Sequence, residues 1–153
     1  MAKKKFRFDF ALSFAGPQRD MARELFNELK KRGFDVFFDE EYEVEMFGKN
    51  GISFLRKVYS EESRYCIVLI SREYDERDWP RIERESIQSR ELNHEKEEVL
   101  LPVLTDGYIP EWLPKTRFYF NLQKKSFKRL VKILEKKAWP PLEFSETEEN
   151  RTI

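Results

Sequence analysis

The stretch ISREYDERDWPRIERES, residues 70–86, holds the side chains best suited to chemistry. It follows an apolar run ending at Ile70 and carries a lone tryptophan, Trp79, then Pro80 and two glutamates, Glu83 and Glu85. If a helix starts at Trp79 and turns by about 100° per residue, Trp79, Ile82, Ser86 and Ile87 define its inner face. Glu83 falls inside that face and Glu85 on the solvent side. An ionised carboxylate on a packed face is costly unless it is paired or used. Arg90, two turns on, could pair with Glu83. Glu83 could also lie at an open helix edge, or serve as a functional carboxylate, since such groups are found in these surroundings. The spacing leaves these readings open.

Other candidates are weaker. His94 is the only histidine and falls near a polar helix end, and Cys66, the only cysteine, sits in the middle of an apolar run. No Cys/His cluster has metal-ligand spacing, and no P-loop or GxGxxG occurs, so no metal or resident cofactor is expected. Charged residues make up 38% of the 153 and balance at 29 basic against 29 acidic, which argues against a nucleic-acid partner. One cysteine excludes a disulfide framework and points to a reducing cytoplasm. No apolar run approaches the roughly 20 residues of a membrane span, so no membrane partner is expected.

The elements that must position Glu83 follow from periodicity. FRFDFALSF (6–14) reads as a strand, and residues 18–32 as a helix with Ala22, Leu25, Phe26 and Leu29 on one face, stopped by Gly33. FDVFF (34–38) is a second strand. Residues 39–51 are a long acidic loop whose Met46–Phe47–Gly48 tip resembles a contact surface. Residues 52–60 form a short helix, and RYCIVLIS (64–71) is a central strand buried on both faces. A helix over 79–94, a strand over 98–104 marred by Pro102, a strand over 116–122 and a helix over 125–137 complete the pattern. Strand and helix in alternation predict an α/β fold: a flavodoxin-like, doubly wound, five-stranded parallel sheet with helices on both faces. Residues 1–140 make one domain, and 141–153 a polar, frayed tail. Ligands of such sheets bind beyond the carboxyl ends of the strands, where Ser13–Gly16, Asp39–Gly51, Ser71–Trp79 and Thr105–Pro110 fall.

Two separated motifs carry a family resemblance. Residues 8–16, FDFALSFAG, are similar to the YDVFLSFRG opening of TIR domains, and Ser71, Tyr74, Trp79 and Glu83 keep the spacing of the family's S-x-x-Y-x-x-S-x-W-C-x-x-E pattern. The ALSFAG opening and the LLPV strand resemble the bacterial branch. Ala15 stands where plant members have arginine, and Pro80 where they have cysteine. The resemblance implies an enzyme that cleaves the bond between nicotinamide and ribose in NAD+, with Glu83 as the catalytic residue and NAD+ as substrate rather than cofactor. Trp79 would then form a wall beside the substrate as well as packing at the helix start. The turn Phe14–Ala15–Gly16 could present backbone N–H groups to the pyrophosphate. Ser71 could position a substrate hydroxyl or simply end its strand.

The resemblance further implies that the 39–51 loop mediates self-association and gates the pocket, with Asp39 and Phe47 at the substrate. The product would be ADP-ribose or a cyclic variant, made in bacterial antiphage or innate immune signalling under a sensor domain or partner protein outside this chain. The competing function is a non-catalytic TIR scaffold that signals by assembly alone. A phospho-receiver is disfavoured, because the third strand ends in Ile70–Ser71 and not in an acceptor aspartate.

Overall fold

The computed structural model describes residues 6–93 and 98–142. Strand β1, Phe8–Ser13, is buried along its whole length. Helix α1, Arg19–Lys31, returns over it through buried Ala22, Leu25 and Leu29. Gly33, at φ 91°, stops α1 by donating its N–H to Lys30 O, a left-handed cap that glycine adopts without strain. β2, Val36–Phe37, is followed by two short helices, α2, Glu43–Met46, and α3, Gly51–Lys57, and then by β3, Ser63–Ile70, the long central strand. α4, Arg72–Asp75, and α5, Asp78–Asn93, follow β3. β4 is Leu100–Leu104, β5 Phe120–Asn121, and α6 Phe127–Ala138, whose Ser126 cap accepts the Arg129 N–H.

All pairings are parallel, in the order β2-β1-β3-β4-β5. This is the doubly wound arrangement expected, with its topological switch between β1 and β3. One face of the sheet packs on α1 and α6 through Phe10, Leu12, Leu25, Ile67 and Leu130. The other face, through Ala11, Phe37, Tyr59, Val68 and Ile87, packs beneath the elements around β3 and α5. Glu91 fastens the end of α5 to the start of β4 by accepting the Val99 and Leu100 N–H groups at 2.6 and 2.7 Å while pairing with Arg117.

Several expectations change. Residues 39–51 are not one open loop: a 3-10 turn, Asp39–Tyr42, leads into a short helix, Glu43–Met46. The next helix, Gly51–Lys57, is capped by Asn50 Oδ1 and runs into a π turn, Val58–Glu62. The last strand pairs over two residues only, because just Val103 and Leu104 find partners in it. That short ladder also accommodates Pro102, since β5 pairing begins only at Val103 and demands no donor from the proline. Cys66 is buried mid-strand, as expected of an inert core residue. His94 and residues 143–153 of the expected tail lie outside the described residues.

A buried carboxylate braces the strand ends away from the site. Asp9 is fully buried, its Oδ2 accepting the Asp35 N–H and its Oδ1 the Leu142 N–H, each at 2.8 Å. Removing it leaves two half-buried N–H donors without their acceptors, which costs up to about 1–3 kcal/mol each. Asp9→Ala is therefore expected to destabilise the domain by roughly 2–4 kcal/mol in urea melts. Asp9→Asn, which keeps one acceptor oxygen, is expected to cost less, and equal losses would refute the hydrogen-bonding account.

Candidate active site

Helix α5 sets the site through its inner face. Pro80 occupies the first turn, where its missing N–H costs nothing, and Ser86, Ile87 and Arg90 are buried beneath the helix. Glu83 is half-buried on that face and Glu85 is exposed, in line with the helical spacing. The Glu83 carboxyl turns inward over the carboxyl end of β1. Ser13 Oγ donates to Glu83 Oε1 at 2.6 Å, and the Tyr74 hydroxyl lies 2.7 Å from Ser13 Oγ. Tyr59 donates to the neighbouring carbonyl, Leu12 O, at 2.5 Å. Burial pushes the Glu83 carboxyl up to about 8; the negative charge of Asp39 adds to the effect, and the Ser13 hydrogen bond works against it.

Arg90 is not the partner of Glu83. It donates to Ser63 O at 2.6 Å and Tyr59 O at 3.4 Å, and among the described residues no ion pair involves Glu83. The helical wheel put Arg90 on the same face. Two turns of helix carry it to the far end of β3, where the Ser63 carbonyl and that of Tyr59 in the preceding π turn accept from it.

The remaining expected site residues fall into three settings. Trp79 is 51% exposed, so it is not a well-buried aromatic. Its indole lies over Gly51, where an added Cβ would come within 2.9 Å of Cη2, so Gly51 has no room for a side chain beneath it. Asp39 is gripped by Arg19 through two hydrogen bonds, at 2.8 and 2.9 Å. It lines an open cleft of about 830 Å³ with Arg19, Glu40, Val44, Met46 and Phe47. Glu83 does not line this cleft; Asp39 is the residue whose charge reaches both. Phe47 is 91% exposed at the rim.

Ser71 is buried and engaged. Its hydroxyl donates to Gln18 Oε1 at 2.9 Å and accepts the Tyr74 N–H at 3.1 Å, capping α4. Phe14 is half-buried against Phe38 with Arg19 over its ring, Ala15 is buried, and exposed Gly16 opens a 3-10 turn, Gly16–Gln18, ahead of α1. The sequence reading missed the hydroxyls of Ser13 and Tyr74 and the guanidinium of Arg19. Strand alternation could have placed Ser13 beside Ala11, on the α5 face.

A 2-1-3-4-5 parallel sheet with an inward carboxyl at its switch point defines a doubly wound α/β domain with a site at the strand ends. The sequence profile of the TIR domain family matches residues 10–134, and the chain belongs to that family. A 3′ cyclic ADP-D-ribose synthase of Aquimarina amphilecti is 34% identical over 137 residues, 90% of this chain and 42% of that protein. A 2′ cyclic ADP-D-ribose synthase of Bacteroides thetaiotaomicron is 33% identical over 100 residues, 63% of this chain and 32% of that protein. The chain thus spans less than half the length of either relative. In fold it resembles the TIR domain of the Toll-related receptor TRR-2 of Hydra magnipapillata, with a TM-score of 0.66 at 15% identity over 86% of this chain and 98% of that one. A TIR-STING receptor of C. gigas, solved with 2′,3′-cGAMP, gives 0.64 at 18% identity over 93% of this chain and 42% of that one.

The raised carboxyl has a consequence for stability. An unfolded glutamate ionises near 4.5, whereas folded Glu83 holds its proton to about 8. Between those values the folded state binds more protons, so stability falls as pH rises, and it levels off above about 8. Glutamine does not ionise. Glu83→Gln is therefore expected to match wild type near pH 5 and to exceed it by roughly 2–4 kcal/mol at pH 9, allowing for partial solvent access. Melts across this range test it; a stability gap independent of pH would count against a buried, titrating Glu83.

Proposed function

We propose that this domain is an NAD+ nucleosidase, releasing nicotinamide and either ADP-ribose or a cyclic ADP-ribose variant. The observation that carries this reading is the Glu83 carboxyl, turned inward onto Ser13 at the end of β1. A group so costly to bury has no ion pair among the described residues to account for it structurally. The two curated relatives, both cyclic ADP-D-ribose synthases by name, support the substrate class.

The chemistry needs one carboxylate. The bond from ribose C1′ to the ring nitrogen breaks, and its electron pair neutralises the pyridinium, so nicotinamide leaves without a general acid. Positive charge develops on the ribose, as in glycoside cleavage. Ionised Glu83 stabilises that charge. Water then bonds to C1′ and loses its proton, giving ADP-ribose; a hydroxyl of the same substrate doing so gives a cyclic product. NAD+ is the substrate, and no resident cofactor is required. Trp79 walls the ribose side, and the Phe14–Gly16 turn faces the pyrophosphate.

The cationic ring favours the ionised carboxyl, so binding releases the proton Glu83 holds in the empty site. On this reading kcat/KM rises with pH through about 8, the value set by the free enzyme, and levels off above it. Glu83→Gln is expected to lower NAD+ cleavage by at least ~1000-fold with the fold intact, and Glu85→Gln to change little. Mass-resolved products at several pH values test both, and cleavage by Glu83→Gln near the wild-type rate would overturn the reading.

Assembly belongs to the same proposal. Val44 and Phe47 are 93% and 91% exposed on the rim of the Asp39 cleft, an apolar pair that a second copy would cover. We read the 39–51 segment as the self-association surface that activates the enzyme, in innate defence signalling in the cytoplasm. Phe47→Asp is expected to abolish any rise of specific activity with protein concentration while leaving the melting temperature unchanged. Specific activity that is flat with concentration in the wild type would mean that one chain carries a complete site. It would also leave assembly alone, the scaffold reading, without support from activity.

A further inference from the structure

Two hydroxyls stand between the sheet and Glu83. Ser13 and Tyr74 are both 0% exposed, and Ser13 Oγ lies within hydrogen-bond distance of both the Tyr74 hydroxyl and Glu83 Oε1. Each hydroxyl has one proton to give. Burial raises the Tyr74 phenol well above its ordinary range, so it keeps its proton. Among the described residues the only hydrogen-bond partner of that hydroxyl is Ser13 Oγ. If Tyr74 gives its proton to Ser13, the serine's own proton points to Glu83, and a carboxylate can only accept. The reverse order would leave the Tyr74 proton without an acceptor among the described residues.

We infer that Ser13, oriented by Tyr74, is the positioning residue of the site: its donated hydrogen bond fixes Glu83 Oε1 and favours the ionised carboxylate that a cationic substrate requires. The inference rests on the reading of Glu83 as the catalytic carboxylate. The surroundings of Glu83 make Ser13 decisive. Asp39, beyond β2, and the buried Tyr59 of the π turn and Tyr74 of α4 share its field, with Cys66 of β3 and Arg84 of α5 beside those tyrosines. Burial and Asp39 both favour the protonated acid, and the Ser13 hydrogen bond is what opposes them.

The test follows the Glu83 carboxyl directly, by carbon-13 NMR of glutamate-labelled full chain, with its signal identified by loss in Glu83→Gln. Ser13→Ala is expected to raise the titration midpoint by about one pH unit, and Tyr74→Phe by a smaller step. In the same variants kcat/KM for NAD+ at pH 7 is expected to fall, about tenfold in Ser13→Ala, and to recover at alkaline pH, because a one-unit shift cuts the ionised fraction tenfold. Ser13→Thr, which keeps the hydroxyl, is expected to retain the wild-type midpoint. If Ser13→Ala does not fold, Tyr74→Phe, nearly unchanged in volume, decides alone. Folded variants that lose stability without moving the midpoint would overturn the inference and leave Ser13 a packing residue. A wild type that cleaves no NAD+ would overturn the functional reading only, since the titration reports the hydrogen bond without substrate.

Discussion

The pairing of β1 with β3 is the constraint on which the site depends. Its register runs from Phe8 opposite Ser63 to Ser13 opposite Val68, so β3 continues through Leu69 and Ile70 past the end of β1. β2 lies on one side of this pair and β4 on the other, which leaves a crevice at the switch point. The chain leaving β3 supplies Tyr74 from α4 and Glu83 from α5, and both turn back over the end of β1. A slip of one residue in β1 would turn Ser13 to the α1 face and remove the donor that Glu83 needs, because strand side chains alternate. The rest of the sheet holds this register: Asp9 ties β1 to the approach of β2, and Glu91 with Arg117 ties α5 to β4.

Burying a carboxyl at this point works against stability, and the surroundings show how the cost is contained. Neutralising Glu83 with a salt bridge would remove the charge a reaction could use. Here the proton itself neutralises it at moderate pH, while one serine hydrogen bond keeps ionisation within reach. Most neighbouring polar groups are satisfied, Ser71 by Gln18 and the Tyr74 N–H, Tyr59 by Leu12 O and Arg90 by Ser63 O and Tyr59 O, while among the described residues the buried Arg84 Nε has no hydrogen-bond partner. A network with one group left short of a charged partner differs from a structural one, in which every charge is paired.

Much of this was legible in the sequence, and what was not has physical reasons. Apolar runs with helical stretches between them gave β1, β3, β4 and the four longer helices, because burial on both faces writes itself as continuous hydrophobicity. The inward Glu83 and outward Glu85 followed from helix geometry within one element. The Ser13–Tyr74–Glu83 chain joins three elements, its partners standing 61 and 70 positions apart from Ser13 in sequence, and no local pattern encodes such contacts. Trp79 read as buried because a large aromatic at a helix start usually is, yet it lies on the side-chain-free surface of Gly51. The order within 39–51 was hidden by its acidic residues, which looked solvated but bind Arg19, Arg23 and Arg7. The expected pairing of Arg90 failed because a helical wheel shows direction but not what lies beneath.

Those arginines join the two halves of the site. Arg19 leaves α1 to grip Asp39 and reach Glu40, which Arg23 also holds. The first turn of the 39–51 segment is thereby fastened to α1, while its apolar tip at Val44 and Phe47 stays in solvent. Asp39 is also the charge that raises the proton affinity of Glu83. The negative charge of Asp39 is thus the part of the 39–51 segment felt at Glu83, and it favours the protonated carboxyl there. The reach of the segment into the site is electrostatic, and it needs no contact between Phe47 and Glu83.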